Sequence, residues 1–308
     1  MKPAVNPASH PPLADHSSLR GILLLMAAVL TFSLMDTIAK YLSRTYPVPM
    51  LVWARYFMHI VFMLVVFVPG MGGRILRTGR LRLQIVRALL LVCCTALFFT
   101  ALRFLPLAEA TAIGFISPLL VTALSGPILG ERVTVRQWLA VVAGFFGVLI
   151  IIRPGGGLFS PAVLLPMGMA FCYSLYQILT RKLAASDNPV VTLFYTALVG
   201  AVITSAVLPF HWVEPTLAHW GLMLLLGTGG GIGHYVLIKA FEHTPASVLA
   251  PFGYTQIIWV TALGYMVFGQ LPDAMGFVGI GVIVACGMYC AWVARSRTTV
   301  DTATVINE

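Results

Sequence analysis

The stretch PLAEATAIGFISPLLVTALSGPILG, residues 106–130, returns in altered form as PASVLAPFGYTQIIWVTALGYMVFG, residues 245–269. Both read Pro, seven residues, Gly, six residues, Val-Thr-Ala-Leu, five residues, Gly, in one register and without a gap. The matched members are Pro106/Pro245, Gly114/Gly253, Val121/Val260, Thr122/Thr261, Ala123/Ala262, Leu124/Leu263 and Gly130/Gly269. Coincidence among common apolar residues is the competing reading. A duplicated apolar unit of this kind points to a transporter, because two helical halves can enclose a central site.

Outward from the twin motif the whole chain is apolar, 59% hydrophobic and 9% charged over 308 residues, where a soluble domain has roughly 25% charged residues. Its apolar runs reach the roughly 20 residues that a helix needs to cross the hydrocarbon core. They fall at approximately 20–42, 49–69, 83–104, 107–129, 134–152, 161–182, 189–209, 217–240, 245–269 and 273–294. The first is too long for the core of a signal peptide and further spans follow it, so it is read as retained. Residues 1–18, which hold Pro3, Pro7, Pro11 and Pro12, and residues 296–308 read as disordered cytoplasmic tails.

The net charge of +9 does not point to nucleic acid, because the basic residues follow the positive-inside pattern. With both termini cytoplasmic, that side carries Lys2, Arg20, Arg74, Arg77, Arg80, Arg82, Arg132, Arg136, Arg181, Lys182, Lys239, Arg295 and Arg297. The outer side then carries only Lys40, Arg44, Arg103 and Arg153. The cluster Arg74 to Arg82 is either a plain topology signal or a contact with anionic lipid headgroups. A bacterial inner membrane is the expected location. Cys93, Cys94, Cys172, Cys286 and Cys290 all fall inside spans, lack the spacing of a metal site and read as packing residues.

Five spans per half is an odd number, so the second half enters the membrane from the opposite side. The expected fold is an all-α membrane protein of ten transmembrane helices, built as two inverted five-helix repeats over 19–154 and 155–295. The starts of the halves echo one another: Leu23-Leu24, Met26, Ser33-Leu34 and Leu42 match Leu164-Leu165, Met167, Ser174-Leu175 and Leu183. Pro49 and Pro189 each open the following span, where a missing N–H costs nothing extra.

Ser117-Pro118, Gly130-Glu131-Arg132 after an apolar helix, Gly144, Gly147 and Arg153-Pro154-Gly155 resemble the EamA-type repeat of the drug/metabolite transporter superfamily. The resemblance runs over residues 19–295 and is specific for fold, not for substrate. It implies that the first four helices of each repeat surround a central cavity and that the fifth lies at the periphery. The second copy departs from it, with Gln270 at the position of Glu131 and Ile257 at that of Pro118. Those positions are read as structural in the first copy.

Charge inside a span costs about 2.5–3.5 kcal/mol on the translocon scale, which singles out Asp36 and Arg55 at similar depth in the first two spans. They are expected to pair across those helices, or to bind and compensate a charged group of the substrate; a structural ion pair or snorkelling is the alternative. Asp36 aligns with neutral Gln177. His59, one turn after Arg55, is a candidate proton acceptor, and His234 beside the glycines at 227–233 is a candidate hydrogen-bond partner. Those glycines either allow close helix packing or mark unwound backbone lining the cavity. Tyr173, Tyr176, Gln177, Tyr254, Gln256, Trp259 and Phe115 form an aromatic and amide set suited to a planar metabolite, with ordinary packing as the alternative. Glu109 with Arg103, and Lys239 with Glu242, read as local ion pairs at helix ends. Pro106, Gly114, Pro245 and Gly253 are the expected points of helix bending.

The function expected is secondary transport of small organic metabolites by alternating access. The resemblance implies export of amino acids or related compounds most often, and uptake of riboflavin or S-adenosylmethionine as the alternative. Membrane lipid and the substrate are expected partners, protons and a second copy in a homodimer are candidates, and no cofactor is expected. A membrane enzyme is disfavoured by dispersed histidines without a catalytic motif, and an assembly subunit would tolerate a filled centre.

Overall fold

The computed structural model describes residues 15–130, 133–152, 160–184, 186–244 and 246–306. The described residues form helices and connecting turns, with no strand. The first half runs through α1 (Asp15–Leu42), α2 (Val48–Val66), a short α3 (Val68–Met71), α4 (Leu81–Phe104), α5 (Leu107–Gly114), α6 (Ser117–Leu129) and α7 (Val135–Ile152). The second runs through α8 (Leu164–Ala184), α9 (Pro189–Val207), α10 (Leu217–His243), α11 (Ala246–Gly253), α12 (Gln256–Phe268) and α13 (Ala274–Ile306). Nine helical stretches among the described residues are long and apolar enough to cross a membrane, and α12 is a shorter apolar helix that α11 precedes.

The twin motif now has a physical reading. Its last glycine ends α6 and α12: Gly130 (φ 74°) and Gly269 (φ 67°) cap them in the left-handed region, where a side chain would be strained. Its first glycine lies at an interruption of the helix, between α5 and α6 in the first copy and between α11 and α12 in the second. In the first copy, Pro118 lies four residues after Gly114; it has no N–H for the Gly114 carbonyl, and its ring would clash with that group. The chain instead tightens, with the Ile116 N–H donating to the Ile113 carbonyl at 3.1 Å. The second copy has no proline there. Its Thr255 hydroxyl donates to the Phe252 carbonyl at 2.6 Å, and the Ile257 N–H donates to the Tyr254 carbonyl at 3.1 Å.

Helix packing is symmetric under exchange of the halves. α1 lies on α10 as α8 lies on α4; α10 packs on α2 as α4 packs on α9; α1 meets α11 and α12 as α8 meets α5 and α6. α2 pairs with α9, and α7 with α13, each with its own counterpart. The α7–α13 pair packs chiefly on itself and on the broken helices, which puts it at the edge of the bundle. Large apolar side chains such as Leu139, Phe146, Leu225 and Met266 are exposed along the helices, as a surface facing hydrocarbon requires.

α10 is continuous through residues 227–233, so its glycines serve packing. A Cβ on Gly227 would stand 2.3 Å from the Met58 Cβ and 2.7 Å from the Ala54 carbonyl of α2. Gly227→Ala is therefore expected to destabilise the protein by about 1–3 kcal/mol through overpacking. Chemical denaturation of the purified variant measures this; wild-type stability would contradict the contact.

Helix extends into both stretches that the sequence reads as tails. α1 begins at Asp15 and α13 continues to Ile306, because 15–18 and 296–306 contain no Gly or Pro to stop a helix. Residues 1–14 and 307–308, the half-boundary at 153–159, Glu131, Arg132 and Pro245 lie outside the described residues.

Candidate functional site

A cavity of about 160 Å³ lies between the halves, at the level of the helix interruptions. α1 contributes Phe32, Met35 and Asp36, α2 contributes Arg55, and α4 contributes Leu91, Cys94, Thr95 and Phe98. The break between α5 and α6 adds Thr111, Gly114, Phe115 and Ser117, while the second half adds Met169, Tyr173, His234 and Gln256. Asp36, Arg55, Gly114, Phe115, Tyr173, His234 and Gln256 are thus brought together from positions far apart in the chain. Ser117 and Gln256 are the first residues of α6 and α12, so both second half-helices start at the cavity.

Asp36 is 6% exposed. It forms no ion pair with Arg55 among the described residues, which corrects the expected pairing. The Arg55 Nη1 donates instead to the Thr95 hydroxyl at 2.9 Å, and the guanidinium lies 5.7 Å from the ring centres of both Tyr56 and Phe99. Thr95 can hold it because its own O–H donates to the Leu91 carbonyl at 2.9 Å, leaving its oxygen to accept. One cavity therefore contains a fixed cation and a separate carboxylate.

His234 lines the cavity against Phe32, ring centres 5.0 Å apart, and His59 stands behind it with its ring stacked at 6.4 Å. Both Nε2 atoms are buried without a hydrogen-bond partner. Tyr254 supports the wall from behind, its ring 5.1 Å from Phe115. Trp259 packs beside Leu25, Val29 and Leu249, away from the lining. Tyr176 and Gln177 also lie outside the lining. Pro106 caps the start of α5. Lys239 and Glu242 make the expected ion pair at 2.8 Å. Glu109 makes none with Arg103 among the described residues: it is 4% exposed, with its Oε2 buried and unpartnered.

Sequence reasoning passed over Arg87. This α4 residue is 4% exposed. Its Nε donates to the Thr180 hydroxyl at 2.6 Å, Nη1 to the Thr196 hydroxyl at 2.6 Å and the Thr192 carbonyl at 3.2 Å, and Nη2 to the Tyr176 hydroxyl at 2.7 Å. The rule that singled out Asp36 and Arg55, an ionisable residue inside a span, also finds it. One turn away, Gln84 donates to Asp187 at 2.8 Å and to Thr192 at 3.1 Å, and Thr78 donates to the same Asp187 carboxylate. The two halves are braced here, α4 to α8, α9 and the turn between them.

Burial alone would raise the Asp187 carboxyl, but hydrogen bonds from Thr78 and Gln84 outweigh it and hold the group below the ordinary carboxylate value. A depressed carboxylate contributes stability above its unfolded pKa of about 3.9, and that contribution is lost as pH falls through the folded value. The stability difference between wild type and Asp187→Asn is accordingly expected to be constant near neutrality and to shrink below about pH 4. Unfolding curves across that range read it; a difference that grows on acidification would contradict it.

The EamA-like transporter family model matches residues 19–153 and 160–291. An S-adenosylmethionine uptake transporter of Rickettsia prowazekii (strain Madrid E) is 27% identical over 272 residues, 88% of this chain and 92% of the relative. A riboflavin transporter of Vibrio cholerae is 29% identical over 274 residues, 87% of this chain and 92% of the relative. The pseudopaline exporter CntI of Pseudomonas aeruginosa is 29% identical over 288 residues, 90% of this chain and 96% of the relative. A solved crystal structure superposes with a TM-score of 0.63 at 20% identity, covering 91% of this chain and 98% of that one, a likeness of fold.

Proposed function

The chain belongs to the EamA-like transporter family, and from that premise we propose that it carries a zwitterionic metabolite with a flat ring, S-adenosylmethionine being the first candidate. The observation that carries this reading is the separated Asp36 and Arg55 on the walls of one apolar cavity. A charge left in such surroundings needs compensation by water, a partner or a ligand. A zwitterion supplies both: its carboxylate meets Arg55, and its ammonium or sulfonium meets Asp36. Phe32, Phe98, Phe115 and Tyr173 offer ring faces for a base. The chain covers 92% of the length of the Rickettsia relative named for this uptake.

Alternating access between the halves moves the substrate, with the helix interruptions after Gly114 and Gly253 as the flexible points. Asp36 and His234 on the cavity wall, with His59 behind His234, are the proposed proton path. The inner membrane, with both termini cytoplasmic, is the proposed setting. Export of an amino-acid-like compound is a second reading, favoured by the similarity to the pseudopaline exporter over 90% of this chain. The cavity serves either direction.

Purified protein in liposomes, loaded with unlabelled S-adenosylmethionine, is expected to accumulate the labelled compound by counterflow above empty controls. An imposed proton gradient then reports coupling and direction. Absence of counterflow under conditions where amino acids or riboflavin exchange would overturn the choice of substrate.

A further inference from the structure

Of the four basic residues that the sequence assigns to the end of the bundle remote from the 74–82 connection, Lys40, Arg44 and Arg103 line a single cavity of about 320 Å³, together with Ser43, Leu102 and Gln270. Among the described residues its lining contains no carboxylate. Glu109 acts on Lys40 through space without lining the cavity. Lys40, 5% exposed, donates to the Leu102 and Leu105 carbonyls at 3.0 and 2.5 Å, which uses two of its three N–H groups. Arg44 and Lys40 stand over one Phe268 ring at 4.9 and 5.4 Å.

Two further features give this cavity a role. The first copy of the repeat has Glu131 where the second has Gln270; an amide thus stands in the cationic lining where the equivalent position carries a carboxylate, and its Oε1 is buried without a partner. The second feature is position. Lys40 follows Asp36 by one turn on α1, and Leu102 follows Phe98 by one turn on α4. The two cavities are therefore stacked, about 6 Å apart along both helices.

We propose that this second cavity is an oxyanion-binding vestibule, taking the carboxylate or phosphate of a solute passing to or from the central cavity, or the phosphate of a lipid headgroup. The vestibule's role does not depend on which substrate the central cavity carries. Inorganic phosphate, titrated at constant ionic strength against the full chain in detergent, tests it by thermal unfolding. A saturable rise in the unfolding temperature is expected. Arg103→Gln should weaken the apparent affinity about tenfold, roughly the loss of one charge-assisted hydrogen bond, and Gln270→Glu should abolish the rise. Arg55→Gln should keep it, which separates this site from the central one.

Repeating the titration in phosphatidylcholine nanodiscs with and without phosphatidylglycerol assigns the source. Competition by the anionic lipid identifies the headgroup, and its absence a soluble oxyanion. If Arg103→Gln does not fold, Gln270→Glu gives the decision. No phosphate-specific rise in wild type, an undiminished rise in Gln270→Glu, or a rise lost only in Arg55→Gln would overturn the proposal and leave the central cavity's function standing.

Discussion

Replacing Arg55 with glutamine is expected to lower transport at least about thirtyfold while leaving the protein folded. Losing a buried charged partner of a ligand carboxylate costs about 2–5 kcal/mol, and each 1.36 kcal/mol is roughly a factor of ten in rate. The fold should tolerate the change. Among the described residues the Arg55 side chain makes one hydrogen bond, to Thr95, and Tyr56 still meets the same hydroxyl at 3.0 Å after it is removed. Loss of a charge from within the bundle also relieves its burial. Arg55→Lys should fall between the two, since an ammonium cannot offer the planar fork of a guanidinium. Initial rates of substrate counterflow, normalised to reconstituted protein, make the measurement, with unfolding curves as the control. Wild-type rates in Arg55→Gln would remove Arg55 from the site, whatever the substrate.

Much of this fold is legible in the sequence, because a membrane imposes few alternatives. Apolar length marks the spans, and the repeated glycine at 130 and 269 marks two helix ends that only a left-handed residue closes well. What the sequence marks only as a bend, at Gly114 and Gly253, is a full interruption inside each copy. Hydropathy averages over it, and Pro118 at the second position of a new helix looks the same as Pro118 within a kinked one. The cavity is legible in part for a related reason. Intramembrane charge exposes Asp36 and Arg55, but which aromatic residues face inward depends on helix rotation, so Phe32 and Phe98 line the cavity while Trp259 packs elsewhere. The Asp36–Arg55 pairing failed as an expectation because depth alone does not show that Thr95 takes the guanidinium.

Arg87 leads to the largest expected effect on stability, and to an order that reverses chemical similarity. Its guanidinium is a buried cation with no carboxylate partner among the described residues, held by three hydroxyls, one carbonyl and the Tyr176 ring at 4.3 Å. The partners do not depend on it fully. The Thr180 O–H already donates to the Tyr176 carbonyl at 2.7 Å, and the Thr196 O–H to the Thr192 carbonyl at 2.9 Å. Arg87→Met removes both the charge and its desolvation cost, so the expected loss is only about 1–2 kcal/mol, mainly of hydrogen bonds. Arg87→Lys keeps the buried charge but loses the fork that reaches Thr180, Thr196 and Tyr176 together. An under-partnered ion of this kind costs about 3–5 kcal/mol. Denaturation in one detergent should therefore rank wild type above Arg87→Met, and Arg87→Met above Arg87→Lys. A lysine variant as stable as wild type would show that water enters this end of the bundle. The contact would then be a hydrated gate between the halves, not a dry brace.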